Sequence, residues 1–236
     1  MLSLLRPSLL PTPRLVLARF SSSSSSSSSI PSRVYPGLYF HPHPSSPTPS
    51  FTLSYLPTPA PSLAFSPTTL GTLHPLPSSS STTSSFDDKH RPPRPEEDPR
   101  VPPLSPRAFS ENPDFMRLVH DVLKQAVEHD PWLQTQAKAV EGNDTFIHIT
   151  DFRSSPDANR APHPQDVLAS VLVQSGKLVP QSYEPNSVAY RLVSEDGLMQ
   201  LGEGLMARLV EACEKVRRVE EEVARGEGEG EREAGQ

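Results

Sequence analysis

The chain has 236 residues, 29 of them proline, with one cysteine, 34% hydrophobic residues and a formal net charge of −6. One cysteine excludes an internal disulfide and fits a reducing compartment. No stretch approaches the roughly 20 apolar residues of a membrane span, so no transmembrane segment is expected. The acidic balance argues against nucleic acid as a partner, since phosphate contact needs a concentrated positive surface.

The charge is unevenly spread. The first acidic residue is Asp87, and before it stand only Arg6, Arg14, Arg19 and Arg33 as charged groups. From Asp87 onward the balance is 18 basic against 28 acidic residues. Residues 1–20 mix Leu, Val and Phe with spaced arginines, and nine serines follow at 21–29. An Arg-rich, Ser-rich, acid-free opening is the signature of an organelle transit peptide. Such a cationic segment is drawn towards a compartment of negative potential. Pro7, Pro11 and Pro13 restrict its helical part to the residues from about Arg14. The apolar run 15–18 is too short for a secretory signal. The expected location is mitochondrial, most naturally the matrix, with residues 1–20 as transit peptide.

Residues 21–107 follow. Twenty-two of the 29 prolines precede Ala108, and Ser and Thr fill most of the space between them. Such composition lacks the continuous apolar surface that offsets chain entropy, and proline removes backbone donors. The expectation is a disordered Pro/Ser-rich arm. Tyr35, Tyr39, Phe40, Phe51, Tyr55 and Phe65 then read as scattered aromatics, and His41-Pro42-His43 as composition. A chain shortened to begin at Ser105 is accordingly expected to fold by itself.

Order is expected from Asn112. Asn112 suits an N-cap and Pro113 the first helical position, and Phe115, Leu118, Val119, Val122, Leu123 and Val127 fall at helical spacing. Asp130-Pro131 repeats the device and predicts a short helix to about Val140. Gly142-Asn143-Asp144 is a turn. Residues 145–150 alternate as a strand, Ile147 and Ile149 on one face, Phe146 and His148 on the other. Residues 164–168 suggest one helical turn. Val171 to Val173 and Lys177 to Val179 flank Gln174-Ser175-Gly176 as a hairpin. Val188, Tyr190 and Leu192 alternate with Ala189, Arg191 and Val193, predicting a further strand. A last helix covers about 203–224, and 226–236 reads as a disordered Gly/Glu tail. Together these predict a single α+β domain at 108–225, a small antiparallel sheet of three to four strands with flanking helices.

Chemistry is sparse. There is no Gly-x-Ser-x-Gly elbow, Walker loop, Gly-x-Gly-x-x-Gly or His-Glu-x-x-His. His120 and His129 lie nine apart, about 180° from facing each other on a helix, so no metal site is expected. No cofactor is expected either. His148 and Asp151, where a strand runs into a loop, are the weak candidates for acid–base catalysis. Arg191 is a weak candidate for binding an anion. Cys213 lies one turn from Leu209 and Val216 and belongs to a core face.

The last helix carries more information. Leu205, Leu209, Ala212, Val216, Val219 and Val223 are spaced 4, 3, 4, 3, 4, a heptad-like stripe among charges. Its first half is wide enough to cover a sheet. Its second half, Val216, Val219 and Val223, is a candidate contact for a protein partner or a second copy.

Residues Pro164 to Val171, Gly176-Lys177-Leu178-Val179-Pro180, Tyr183, Pro185-Asn186, Tyr190-Arg191-Leu192-Val193 and Asp196-Gly197-Leu198 resemble a filamentous-fungal family of mitochondrial-precursor proteins without an assigned activity. The likeness covers about residues 112–219. It implies no catalytic residues, and it agrees with a mitochondrial address. The resulting expectation is a non-enzymatic accessory or assembly protein docking on a larger complex through its last helix. The alternative is a small enzyme or ligand-binding module using His148, Asp151 and Arg191.

Overall fold

The computed structural model describes residues 28–43, 49–62, 66–76, 97–140, 142–153 and 163–233. The expected transit peptide, residues 1–20, and the serine run up to residue 27 lie outside the described residues. The element order is β1 (Ile30–Pro31), β2 (Tyr39–Pro42), β3 (Phe51–Ser54), β4 (Thr69–Leu73), β5 (Phe109–Glu111), α1 (Pro113–Ala126), α2 (Pro131–Ala139), β6 (Thr145–Thr150), β7 (Val167–Gln174), β8 (Lys177–Pro185), β9 (Val193–Ser194), β10 (Gly197–Leu198) and α3 (Glu203–Glu233). The class is α+β, as expected. The strands form an antiparallel five-stranded sheet in the order β1-β2-β3-β4-β5, a three-stranded sheet β6-β7-β8 and a two-stranded ribbon β9-β10.

The five-stranded sheet overturns the reading of residues 21–107 as a disordered arm. Four of its strands come from that segment. Phe40 and Leu53 are fully buried, and Phe51 and Tyr55 nearly so. Phe51-Thr52-Leu53-Ser54-Tyr55 alternates apolar and polar residues with the period of a strand. The prolines do not interrupt it, because they sit where a ladder tolerates them. Pro31 is on the edge strand, Pro42 ends β2, and Pro57 and Pro59 lie in the connection after β3. Gly71 of β4 faces β5 so closely that a Cβ there would stand 2.2 Å from the Ser110 carbonyl oxygen.

The capping expectations hold. Asn112 Oδ1 accepts from the Asp114 N–H at 3.0 Å, and Asp130 Oδ1 from the Leu133 N–H at 3.0 Å. Asn112 also binds outward: its Nδ2 donates to the Ser66 and Thr69 carbonyls at 2.8 and 2.7 Å. One side chain thus begins α1 and fastens it to β4. β6 has the predicted faces, Ile149 buried and Phe146 51% exposed. The β7–β8 hairpin turns on Ser175 and Gly176, with φ of 50° and 74°. Both central residues are left-handed, a turn whose twist matches the strands.

Two other expectations fail. Residues 188–193 do not form a strand. Asn186 Oδ1 accepts from the Ala189 N–H at 3.2 Å and turns the chain, leaving Val188 83% exposed. Only Val193–Ser194 pairs, with Gly197–Leu198. The expected Gly/Glu tail is helical as far as Glu233; residues 234–236 lie outside the described residues. A helix nucleated by packing adds one hydrogen bond per further residue, so propagation costs less than initiation.

One contiguous core joins all layers. Phe40, Leu53 and Leu73 of the first sheet meet Phe115, Val119 and Leu123 of α1, Ile149 and Val171 of the second sheet, and Leu205, Leu209 and Cys213 of α3. α1 packs on β4, β8 and α3. The domain therefore includes β1 at Ile30–Pro31, well before the boundary expected at 108.

Candidate functional site

The first half of α3 is core: Leu205, Leu209 and Cys213 are buried. Burial pushes the Cys213 thiol up to about 12, so it is an inert packing group. The next residue of this row, four further on, is Arg217. It is only 4% exposed. Its guanidinium donates to the Thr58 carbonyl at 2.8 Å, to Thr68 Oγ1 and to Glu220 Oε2 at 3.3 Å. Glu220 in turn accepts from Ser66 Oγ at 2.9 Å. The helix is thus locked to the β3–β4 connection by a charged, hydrogen-bonded knot. In sequence, the cue was the i, i+4 progression Leu209, Cys213, Arg217; the adjoining Arg218 and the acidic residues that follow concealed it.

That lock sets what the valines do. At 100° per residue Val219 lies about 120° round the helix from Cys213. Val219 and Val223 are 59% and 55% exposed, and Val216 is half-buried. With Pro61 and Ser62 they line a groove of about 550 Å³. Ion pairs Lys215–Glu211 and Arg218–Glu214, at 2.8 and 3.7 Å, hold charges on the exposed side.

The three polar candidates do not share a site. His148 is exposed on the outer face of the second sheet, its Nδ1 2.9 Å from Ser170 Oγ. It lines a depression of about 440 Å³ with Ser170 and Glu184. A base stands beside a hydroxyl there. Asn186, the amide in that depression, spends its Nδ2 on the Pro164 and Val167 carbonyls, both at 2.9 Å. It is therefore committed and does not stabilise an oxyanion.

Asp151 is buried. Its Oδ2 accepts from the Tyr190 hydroxyl at 2.8 Å, and its Oδ1 from the Gln200 and Arg153 N–H groups at 2.8 and 2.9 Å. Burial raises its pKa against those donors. Arg153, which the sequence reading passed over, has a fully buried side chain lying between Asp151 and Asp166 at 3.4 and 3.1 Å. It also donates to the Arg191 carbonyl at 2.7 Å and the Gln165 carbonyl at 2.8 Å. This network clamps the end of β6 to the segment before β9, and its carboxylates face protein groups. Arg191 gives this network its backbone carbonyl, while its side chain lines a cleft with His120 and Arg117.

Among the described residues no three of His, Cys, Asp and Glu gather as metal ligands do, and no helix is long and apolar enough to cross a membrane. Comparison of the chain with protein-family models, curated proteins and solved structures finds no match.

Proposed function

We propose that the protein is a mitochondrial accessory or assembly factor that docks on a larger complex through the second half of α3. The observation that carries this reading is the exposure of Val219 and Val223 in an apolar groove, on a helix pinned by the buried Arg217. A valine pair more than half exposed beside a fixed backbone presents a preformed surface, so docking requires little ordering. The occupant is an amphipathic helix of the partner. The heptad-like spacing, flanked by Arg218, Glu222 and Arg225, suits helix-on-helix packing. α3 spans about 46 Å at 1.5 Å per residue, and residues 221–226 are all exposed, so it offers the length such a contact uses. The arginine-bearing, acid-free opening supports the mitochondrial address.

A photo-crosslinking residue at position 219 of the full chain, introduced in mitochondria, tests this. A crosslink to a helix of one defined partner, lost together with co-purification in Val219→Glu, is the expected result. Crosslinks to residues 61–66 of the same chain would mean the groove is filled internally. Crosslinks to a second copy, with a dimer in light scattering, would make the protein a self-associating one. Either result overturns the reading.

A further inference from the structure

Between the first turns of α1 and the segment after β8 lies a cleft of about 460 Å³, lined among others by Met116, Arg117, His120, Tyr190 and Arg191. Arg117 is paired with Asp114 at 2.5 Å. Arg191 has no carboxylate partner among the described residues. Its Nη1 donates to the Val188 and Tyr190 carbonyls at 3.0 and 2.8 Å. Both backbone acceptors are taken by Nη1, which leaves Nε and Nη2 without a hydrogen-bond partner among the described residues. Glu111, also in the lining, is turned to the Leu192 N–H, which it accepts at 2.6 Å. His120 is held by the Tyr183 hydroxyl, 2.8 Å from Nδ1. Of the remaining wall, Pro113 and Met116 are apolar, Asn186 and Ser187 are polar, and Tyr190 is nearly buried with its hydroxyl on Asp151.

We propose that this cleft binds a small organic carboxylate with an apolar body, its carboxylate on Arg191 with help from Arg117 and its body against Pro113 and Met116. The planar fork of a guanidinium matches a carboxylate in two hydrogen bonds. A concave, mainly apolar space with a few fixed polar groups is the usual form of a small-molecule site. Inorganic phosphate would meet the guanidiniums and gain nothing from the apolar wall. The inference is independent of the α3 groove.

Titration of the full chain with benzoate and, separately, inorganic phosphate, followed by amide NMR and calorimetry, tests it. Benzoate should give saturable shifts at residues 117–120 and 189–192 and bind more tightly than phosphate. Arg191→Met should weaken benzoate by about tenfold or more, the size of a lost charged hydrogen bond. Glu111→Gln, which keeps the acceptor for Leu192 and removes the negative charge, should tighten it. Val219→Glu should leave it unchanged. If Arg191→Met disturbs the fold, Arg117→Met, whose side chain is exposed, decides: benzoate affinity equal to the unaltered protein overturns the proposal. Absence of saturable benzoate binding, or phosphate binding equal to benzoate, overturns it as well.

Discussion

Asn112 shows how one side chain can serve two levels of structure. As a cap it offers Oδ1 to α1; as a tie it offers Nδ2 to two carbonyls of the β4 region. Asn112→Ala removes both functions and should cost about 2–3 kcal/mol, roughly 1 from the cap and the rest from acceptors left without donors. Asn112→Asp keeps the cap acceptor and loses the ties. Chemical denaturation should therefore find Asp destabilised too; an Asp variant as stable as the parent would reduce Asn112 to a cap. The buried His41 and the half-buried His120 make a second case. Burial holds His41 and His120 below their ordinary pKa of 6.5. The unfolded chain then takes up protons that the folded chain resists, so stability is full above about 6.5 and declines as pH falls below it. Asp151, raised by burial, acts in the opposite sense and nearer the carboxylate range. The melting temperature should drop between pH 7.5 and 5.5, and His120→Gln should flatten that drop. An unchanged slope in the variant would remove His120 from the effect.

At the scale of elements, α3 divides into a buried and an exposed length. Leu209 is fully buried, so Leu209→Ala should cost about 2–5 kcal/mol. Val219→Glu changes an exposed position and should stay within about 0.5 kcal/mol. Equal losses in urea unfolding would show the stripe to be core throughout. The two alternating segments of the chain teach a related lesson. Phe51-Thr52-Leu53-Ser54-Tyr55 becomes a strand because β2 and β4 flank it. Val188 to Val193 has the same alternation and becomes a turn, because Asn186 folds the chain back and the Tyr190 hydroxyl is captured by Asp151. Periodicity proposes a strand; a partner with free backbone groups decides it.

For the whole molecule, the consequence of a shared core is that the N-terminal sheet cannot be removed. Phe40, Leu53, Leu70 and Leu73 are fully buried, and the buried Arg217 donates to Thr58 and Thr68 of the same segment as well as to Glu220. A chain shortened to begin at Ser105 would lose those side chains and expose to water the apolar faces of α1 and α3 that share a core with them. It should show no cooperative thermal transition, contrary to what composition alone leads one to expect; a sharp transition in calorimetry would mean the second sheet and helices form a unit by themselves. The opening residues belong to a different level. Replacing Arg6, Arg14 and Arg19 with Glu reverses the charge that responds to membrane potential, so import into isolated mitochondria should stop. Normal import of that triple variant would show that the address lies elsewhere.

Local sequence determined the caps at Asn112 and Asp130, the hairpin turn at Ser175-Gly176, the faces of β6 and the core face of α3, because each depends on residues within a turn or two of one another. The order within residues 28–76 was visible as alternation but outweighed by proline content, since composition does not say whether a proline falls on an edge, an end or a turn. The candidate site was legible only in part. The spacing of Val216, Val219 and Val223 marked a stripe, and its exposure followed from the burial of Arg217. The separation of His148, Asp151 and Arg191, and the meeting of Arg191 with Arg117 and His120, were decided by the tertiary structure alone. These residues come from different strands, helices and loops, and nothing in their sequence distance records which faces of those elements are brought together.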